Sequence, residues 1–202
     1  MEVIRVDDLC GQVLAMLTIA EMHALGFSRH IGLACPPGCS DCCRNDKPED
    51  SVLSALPAGL WAVDCGLLEL LEQAASERPL GPCVFYNQSM DRPCSIYPLR
   101  PLICRLFGFA GKRDKHGTVQ YRPCSRMTRP LLVIQETPPV FSDHATRIEF
   151  LYPPLGRERR PLNVAFYKAA QWILLRRQYD PEDPQNDHPP VCRPPRSLPR
   201  AA

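Results

Sequence analysis

The sequence predicts a small, loop-rich α+β fold with two or three helices and short strands. Helical periodicity near both ends of the chain supplies the α part. Short apolar pieces cut by Pro and Gly between Cys83 and Cys124 supply the β part. The third observation is cysteine: the 202 residues include eleven, nine of them from Cys35 to Cys124. Loops this rich in soft donors point to a metal-organised domain.

The elements follow in order. Residues 7–26 read as an amphipathic helix, with Asp7 or Asp8 as cap, a stripe of Leu9, Val13, Leu17, Ala20 and Ala24, and Gly26 as its end. A turn-rich loop, "CPPGCSDCC", follows from Cys35 to Cys43. Pro57 opens a second helix whose buried face is Leu60, Trp61, Leu67, Leu68, Leu70 and Leu71, and Pro79 and Gly81 close it. "RLFGFAGKRDKHGTVQYRPC" reads as two short strands around a "DKHG" turn. Beyond Pro130 the chain is Pro-rich, with one helix expected at 163–178, capped by Asn163. The polar, Pro-dense end carries no apolar period and reads as a disordered tail. The resulting division is a cysteine-cluster domain over 1–130, a C-terminal extension over 131–179 and a tail over 180–202.

No run of 18 apolar residues exists, and the N-terminus lacks a basic stretch leading into an apolar one. The expected location is therefore cytoplasmic, with no membrane association. In a reducing compartment structural disulfides are disfavoured, and an odd number of cysteines cannot all pair. Metal binding or redox chemistry is the better account.

Eight cysteines form the candidate ligand set: Cys35, Cys39, Cys42, Cys43, Cys83, Cys94, Cys104 and Cys124. Close spacing lets successive thiolates converge with little loop to order, and all-sulfur sites favour zinc or an iron–sulfur cluster. Eight ligands divide into two sites of four, or into one cluster with further thiols nearby. Cys42 and Cys43 are adjacent, and neighbouring side chains on an extended backbone point apart. They serve different metals, or one of them is no ligand. Cys10 and Cys65 lie in apolar helices and read as core residues. Cys192 lies in the tail and carries no weight. The five histidines show no pair at ligand spacing, although His30 lies five residues before Cys35.

The first three cysteines of the loop also have the C-x3-C-x2-C spacing of radical S-adenosylmethionine enzymes. The aromatic residue usual before the third cysteine is replaced by Asp41, and the barrel's strand–helix alternation does not follow. That reading is set aside.

The set "CPPGCSDCC … CVFY … CSIYPLRPLICRLF … C" resembles the CxxCxxCC zinc- or iron-chelating family, the YkgJ-like cysteine-cluster proteins. Cys94, Ile96, Tyr97, Arg100, Pro101, Cys104 and Arg105 match its C-x-I-Y-x-x-R-P-x-x-C-R string. Three residues, not two, separate the first two cysteines here. The resemblance implies a metal-chelating protein, commonly iron–sulfur-containing. One branch is similar to flagellin lysine-N-methylases; with no evident flagellin-recognition region in this chain, that activity is not carried over.

Two functions follow as expectations. The first is an iron–sulfur protein, 4Fe–4S favoured, with a redox or cluster-assisted role and a redox or protein partner. The alternative is a structural zinc module presenting a basic surface to a protein or nucleic acid. Between Arg92 and Arg129 nine Lys/Arg stand against one acid, Asp114. Its aromatics, Tyr97, Phe107, Phe109 and Tyr121, are the ones a nucleic acid would stack on. Arg100 and Arg105 flank Cys104 and are candidates to donate to metal-bound sulfur or a bound anion. Tyr97 is either a core aromatic or a sulfur-directed hydroxyl. No Ser/His/Asp or Cys/His arrangement, phosphate loop or carboxylate pair stands out, so no catalytic residue is assigned.

Overall fold

The computed structural model describes residues 4–44, 48–88, 93–127 and 137–179. The fold is a small α+β domain dominated by helices. α1 (Val6–His30), α2 (Asp41–Arg44), α3 (Leu56–Asp64), α4 (Leu68–Glu77), α5 (Leu102–Leu106), α6 (Phe141–Glu149), α7 (Pro153–Gly156) and α8 (Leu162–Gln178) are joined by two small antiparallel pairs. β1 (Glu49–Ser51) pairs with β4 (Arg159–Pro161), and β2 (Lys112–Arg113) pairs with β3 (Val119–Gln120). The β2–β3 hairpin is the one the sequence predicts. Its turn is closed by Asp114, whose carboxylate accepts from the amides of His116 and Thr118.

Every residue of the predicted stripe on α1 is buried. By length and composition α1 could also cross a membrane, but here that stripe faces the core. The helix runs through Gly26 to His30, because Gly26 sits on an exposed face where a helical glycine costs only about 1 kcal/mol. Neither Asp7 nor Asp8 caps it. Both lie in the first turn, where a carboxylate favours the positive end of the helix dipole.

The predicted second helix is two helices. Gly66 takes a left-handed conformation, φ +66°, and breaks the chain between α3 and α4. The break redirects the buried face. Leu71 is buried, but Leu70 is exposed, and the tightest packing falls on small residues. A Cβ on Gly59 would lie 2.9 Å from Ala169 Cβ and 3.1 Å from the Ala170 nitrogen. Ala58, Ala62, Ala165, Ala169 and Ala170 are all fully buried in the same core. α3 and α8 therefore approach almost backbone to backbone.

Residues 137–179 carry three helices where one was expected, and α8 packs into the same core as α1 and α3. The expected tail lies outside the described residues. α8 itself matches the sequence reading, but Asn163 does not cap it; its side chain is committed elsewhere. α1 and α6 bring together two histidines that the sequence leaves 121 residues apart: His23 Nδ1 lies 3.3 Å from His144 Nε2.

Two measurements test this packing. Gly59→Val should destabilise the fold by about 2 kcal/mol or more in urea denaturation, because neither helix backbone can retreat cheaply. Burial, followed by the His23 and Arg147 charges, holds His144 below its ordinary value of 6.5. A depressed histidine contributes stability that is present above its unfolded pKa and lost as pH falls through the folded one. The melting temperature should therefore drop below about pH 6.5, and His144→Gln should flatten that drop.

Candidate metal centre

Five stretches of chain deliver the candidate cysteines. Cys35 and Cys39 lie in the loop after α1, and Cys42 and Cys43 on α2. Cys83 and Cys94 lie in the segment between α4 and α5, Cys104 on α5, and Cys124 in the turn after β3. Cys35 is exposed and the other seven are half-buried. None of the eight is in a disulfide.

Specific contacts fix each loop. The Cys83 amide donates to the Cys43 carbonyl at 3.0 Å, joining α2 to the second loop. The Ser95 amide donates to Phe85 O, and Tyr86 and Cys94 form an isolated antiparallel bridge, so the Cys83 and Cys94 segments run side by side. Asn163 holds the same loop from α8. Its Oδ1 accepts from the Val84 amide at 2.9 Å, and its Nδ2 donates to Arg78 O and Pro82 O. With all three bonds made, no part of this side chain is left to cap the helix.

α5 carries Cys104 and starts on a buried carboxylate. Asp50 Oδ2 accepts from the Ile103 amide at 2.8 Å, and Ser54 Oγ accepts from the Leu102 amide at 2.8 Å while donating to Asp50. Burial pushes the Asp50 carboxyl up, and these donors pull against that shift. The Cys124 turn is seated on Gly108, φ +78°, where a Cβ would lie 2.9 Å from Cys124 Cβ and 2.8 Å from Met127 Cε. Tyr121 fixes the same region by donating its hydroxyl to Gly108 O at 2.9 Å.

The thiols act on one another. Cys42 is lowered to about 7, chiefly by a hydrogen bond from the Cys43 thiol and further by Arg100. Cys43 is correspondingly raised by that bond, by burial and by the neighbouring Cys42, Cys94 and Cys83. Burial pushes Cys35 up to about 12, with Cys39, Cys42 and Cys124 adding to it. Burial also pushes Cys83 up to about 12, opposed by the Phe85 amide donating to its sulfur. Burial raises Cys94, opposed by Arg100 and the Ile96 amide. Cys104 is raised well above the thiol range by burial and by Cys83 and Cys94. A set of thiols that keep one another protonated gives up those protons when a cation arrives to hold the sulfurs. Among the described residues no three Cys, His, Asp or Glu side chains are already closed around one point. The donor chemistry fits zinc or an iron–sulfur cluster: soft sulfur, with the Phe85 and Ile96 amides favouring the thiolate at Cys83 and Cys94.

The residues flanking Cys104 divide their duties. The Arg105 guanidinium is buried, with Nε donating to Arg100 O at 2.7 Å and the remaining nitrogens to Glu21 and Pro98 O. Arg100 Nη2 pairs with Glu21 at 2.9 Å, and its charge also reaches Cys42, Cys94 and Cys104. Tyr97 is not a core residue. It is 49% exposed and lies beneath the Arg100 guanidinium, 3.6 Å from the ring centroid. Of the other aromatics in the basic segment, Tyr121 packs edge-on against Phe27, Phe109 packs against the core and Phe107 is exposed.

Among the remaining cysteines, Cys10 is buried as expected. Cys65 is not in the core: it is half-buried beside the Gly66 break and disulfide-bonded. Cys192 lies outside the described residues.

Residues 34–125 match a family model described as "CxxCxxCC: Putative zinc- or iron-chelating domain". Over that segment, just under half of its length, the chain is similar to this family. Its limits, Ala34 to Ser125, enclose all eight candidate cysteines. No curated protein and no solved structure matches the chain. The CxxCxxCC domain is thus a cysteine-based metal-binding domain, of the kind that takes zinc or iron.

Asp50 and Ser54 are residues the sequence does not disclose, since nothing local distinguishes them from surface polar residues, and Asn163 reads there only as a helix cap. Asn163→Ala should cost about 1–3 kcal/mol in denaturant unfolding, because it strands the part-buried Val84 amide and two carbonyls. The same variant should retain less metal, measured by elemental analysis after dialysis.

Proposed function

We propose that the chain is an iron–sulfur protein of the cytoplasm with a redox or cluster-assisted role. The observation that carries this reading is the all-sulfur donor set: eight free cysteines inside the matched domain. The Phe85 and Ile96 amides each favour the thiolate of the cysteine two residues before. Hydrogen bonds to sulfur stabilise thiolate and are a main control on cluster potential. Arg100 supports the reading from the other side, placing a positive charge near three thiols. Cys35, Cys39, Cys42, Cys43, Cys83, Cys94, Cys104 and Cys124 are the residues that would hold the metal. Bound there, a cluster supplies one-electron chemistry or a Lewis-acidic iron. The chain's own part is to fix the sulfurs, donate hydrogen bonds to them and limit solvent access.

A structural zinc module is the second reading, favoured by the packing of Cys83, Cys94 and Cys104 against the main core. Metal held there would tie the loops to the helices, and its binding energy would be folding energy. A protein or nucleic-acid partner would then meet the exposed Lys112, Lys115 and Arg122.

Anaerobic purification followed by iron, zinc and labile-sulfide analysis separates the two. Iron with matching sulfide is expected; colourless protein with stoichiometric zinc and no sulfide would overturn the iron–sulfur reading. Cys104→Ser should lower metal content and destabilise the fold, whereas Cys65→Ser should leave metal content unchanged.

A further inference from the structure

α1 is apolar on two opposite faces, and the core covers only one of them. Between Asp8 and Arg29 the helix holds a single Asp, Glu, Lys or Arg: Glu21, which is turned onto Arg100 and Arg105. The stripe from Leu9 to Ala24 is buried. The far side carries Ala15, Ile19 and Met22 in the open, with Ile19 39% and Met22 64% exposed. A helix that is apolar all round is ordinarily buried all round.

Two glycines lie on the same outer face. A Cβ on Gly11 or on Gly26 would meet nothing within 4 Å. Each costs the helix about 1 kcal/mol against alanine, and among the described residues nothing occupies the room that they leave.

The face is also complementary to its own reverse. At about 100° per residue, Asp8, Gly11, Ala15, Met22, Gly26 and Arg29 fall on one side of the helix. Lay a second α1 on it antiparallel, about a two-fold axis between Thr18 and Ile19. Asp8 of each copy then stands opposite Arg29 of the other, Gly11 opposite Gly26, and the long Met22 opposite the short Ala15. Thr18, at the axis, strands no polar group, because its hydroxyl already donates to Leu14 O at 2.8 Å.

We propose that the outer face of α1 is a dimer interface, on which two copies of the chain pack antiparallel and are closed by two Asp8–Arg29 pairs. Such a contact is isologous, so it ends at two copies and does not propagate. A lipid surface is the other occupant of an exposed apolar helix face. Helices that lie on membranes set Lys and Arg along the polar side. Here one end is acidic and the other basic, which suits a second copy instead.

Sedimentation equilibrium of the full chain, as purified, should show a reversible dimer. Ile19→Glu brings two carboxylates together near the axis and should raise the dimer Kd by at least about tenfold. The position is exposed, so the circular dichroism of this variant should match the wild type. Asp8→Arg and Arg29→Asp should each weaken self-association. An equal mixture of those two variants should dimerise again, because every crossed contact between them is opposite in charge. A wild type that stays monomeric overturns the proposal, and so does a dimer indifferent to Ile19→Glu. Folded charge variants that fail to complement each other overturn the antiparallel pairing. Monomer that floats with phosphatidylglycerol vesicles, and loses this in Ile19→Glu, overturns the dimer in favour of a lipid surface. If a charge change at a helix end costs the fold, Ile19→Glu still decides.

Discussion

Arg105 places a permanent positive charge inside the protein, and the groups around it are arranged to hold that charge. Glu21 reaches it from α1, and Pro98 O and Arg100 O reach it from the segment just before α5, the helix that carries it. Arginine does not deprotonate in proteins, so losing its partners would leave an uncompensated buried charge, which costs several kcal/mol. That constraint fixes where α1 meets the segment from Pro98 to Arg105, and hence where Cys104 stands relative to Cys94. Glu21 is shared with Arg100. The same carboxylate therefore sets both the structural guanidinium and the one that faces the thiols.

The thiol loops contain little regular structure and cannot order themselves. Three of the cysteine-bearing segments are pinned by side chains. Asp50 and Ser54 receive the first amides of α5, Asn163 grips the Cys83 loop from α8, and Tyr121 ties the Cys124 region to Gly108. These bonds are buried or partly buried, so breaking one exposes a stranded polar group rather than simply losing a contact. The helices in turn are held by close approach. Gly59 lets α3 meet α8 at a distance that a Cβ would forbid, and α8 brings Asn163 to its loop.

Most of the helical scaffold and all eight thiols are legible in the sequence, because periodicity and cysteine spacing are local signals. The α1 stripe needs only its own 3.6-residue repeat, and the hairpin needs only its turn. What is not legible depends on partners far along the chain. Asn163 looks like an N-cap until Val84 and Arg78 are brought to it. The α3–α8 seam is hidden because glycine and alanine carry little hydrophobic signal, although close packing is their use here. The His23–His144 pair and the β1–β4 pairing are hidden in the same way: each joins segments more than a hundred residues apart.

The basic segment is less free than its composition suggests, and this bears on what it is for. Arg100 and Arg105 share Glu21, Arg113 pairs with Asp143, and Arg126 pairs with Asp41. Two of its aromatics, Tyr121 and Phe109, are committed to packing and a third lies under Arg100. Arg113 and Arg126 are paired at the surface, whereas the charges of Arg100 and Arg105 are turned inward on Glu21. Four thiolates around a divalent ion leave a net charge of about −2. Arg100 already serves Glu21, so a second negative centre beside it would draw on the same guanidinium. The thiolate clusters and Glu21 thus compete for one cation. Loading the metal should loosen the Arg100–Glu21 pair while leaving Arg105 in place, because its guanidinium also donates to the Arg100 and Pro98 carbonyls.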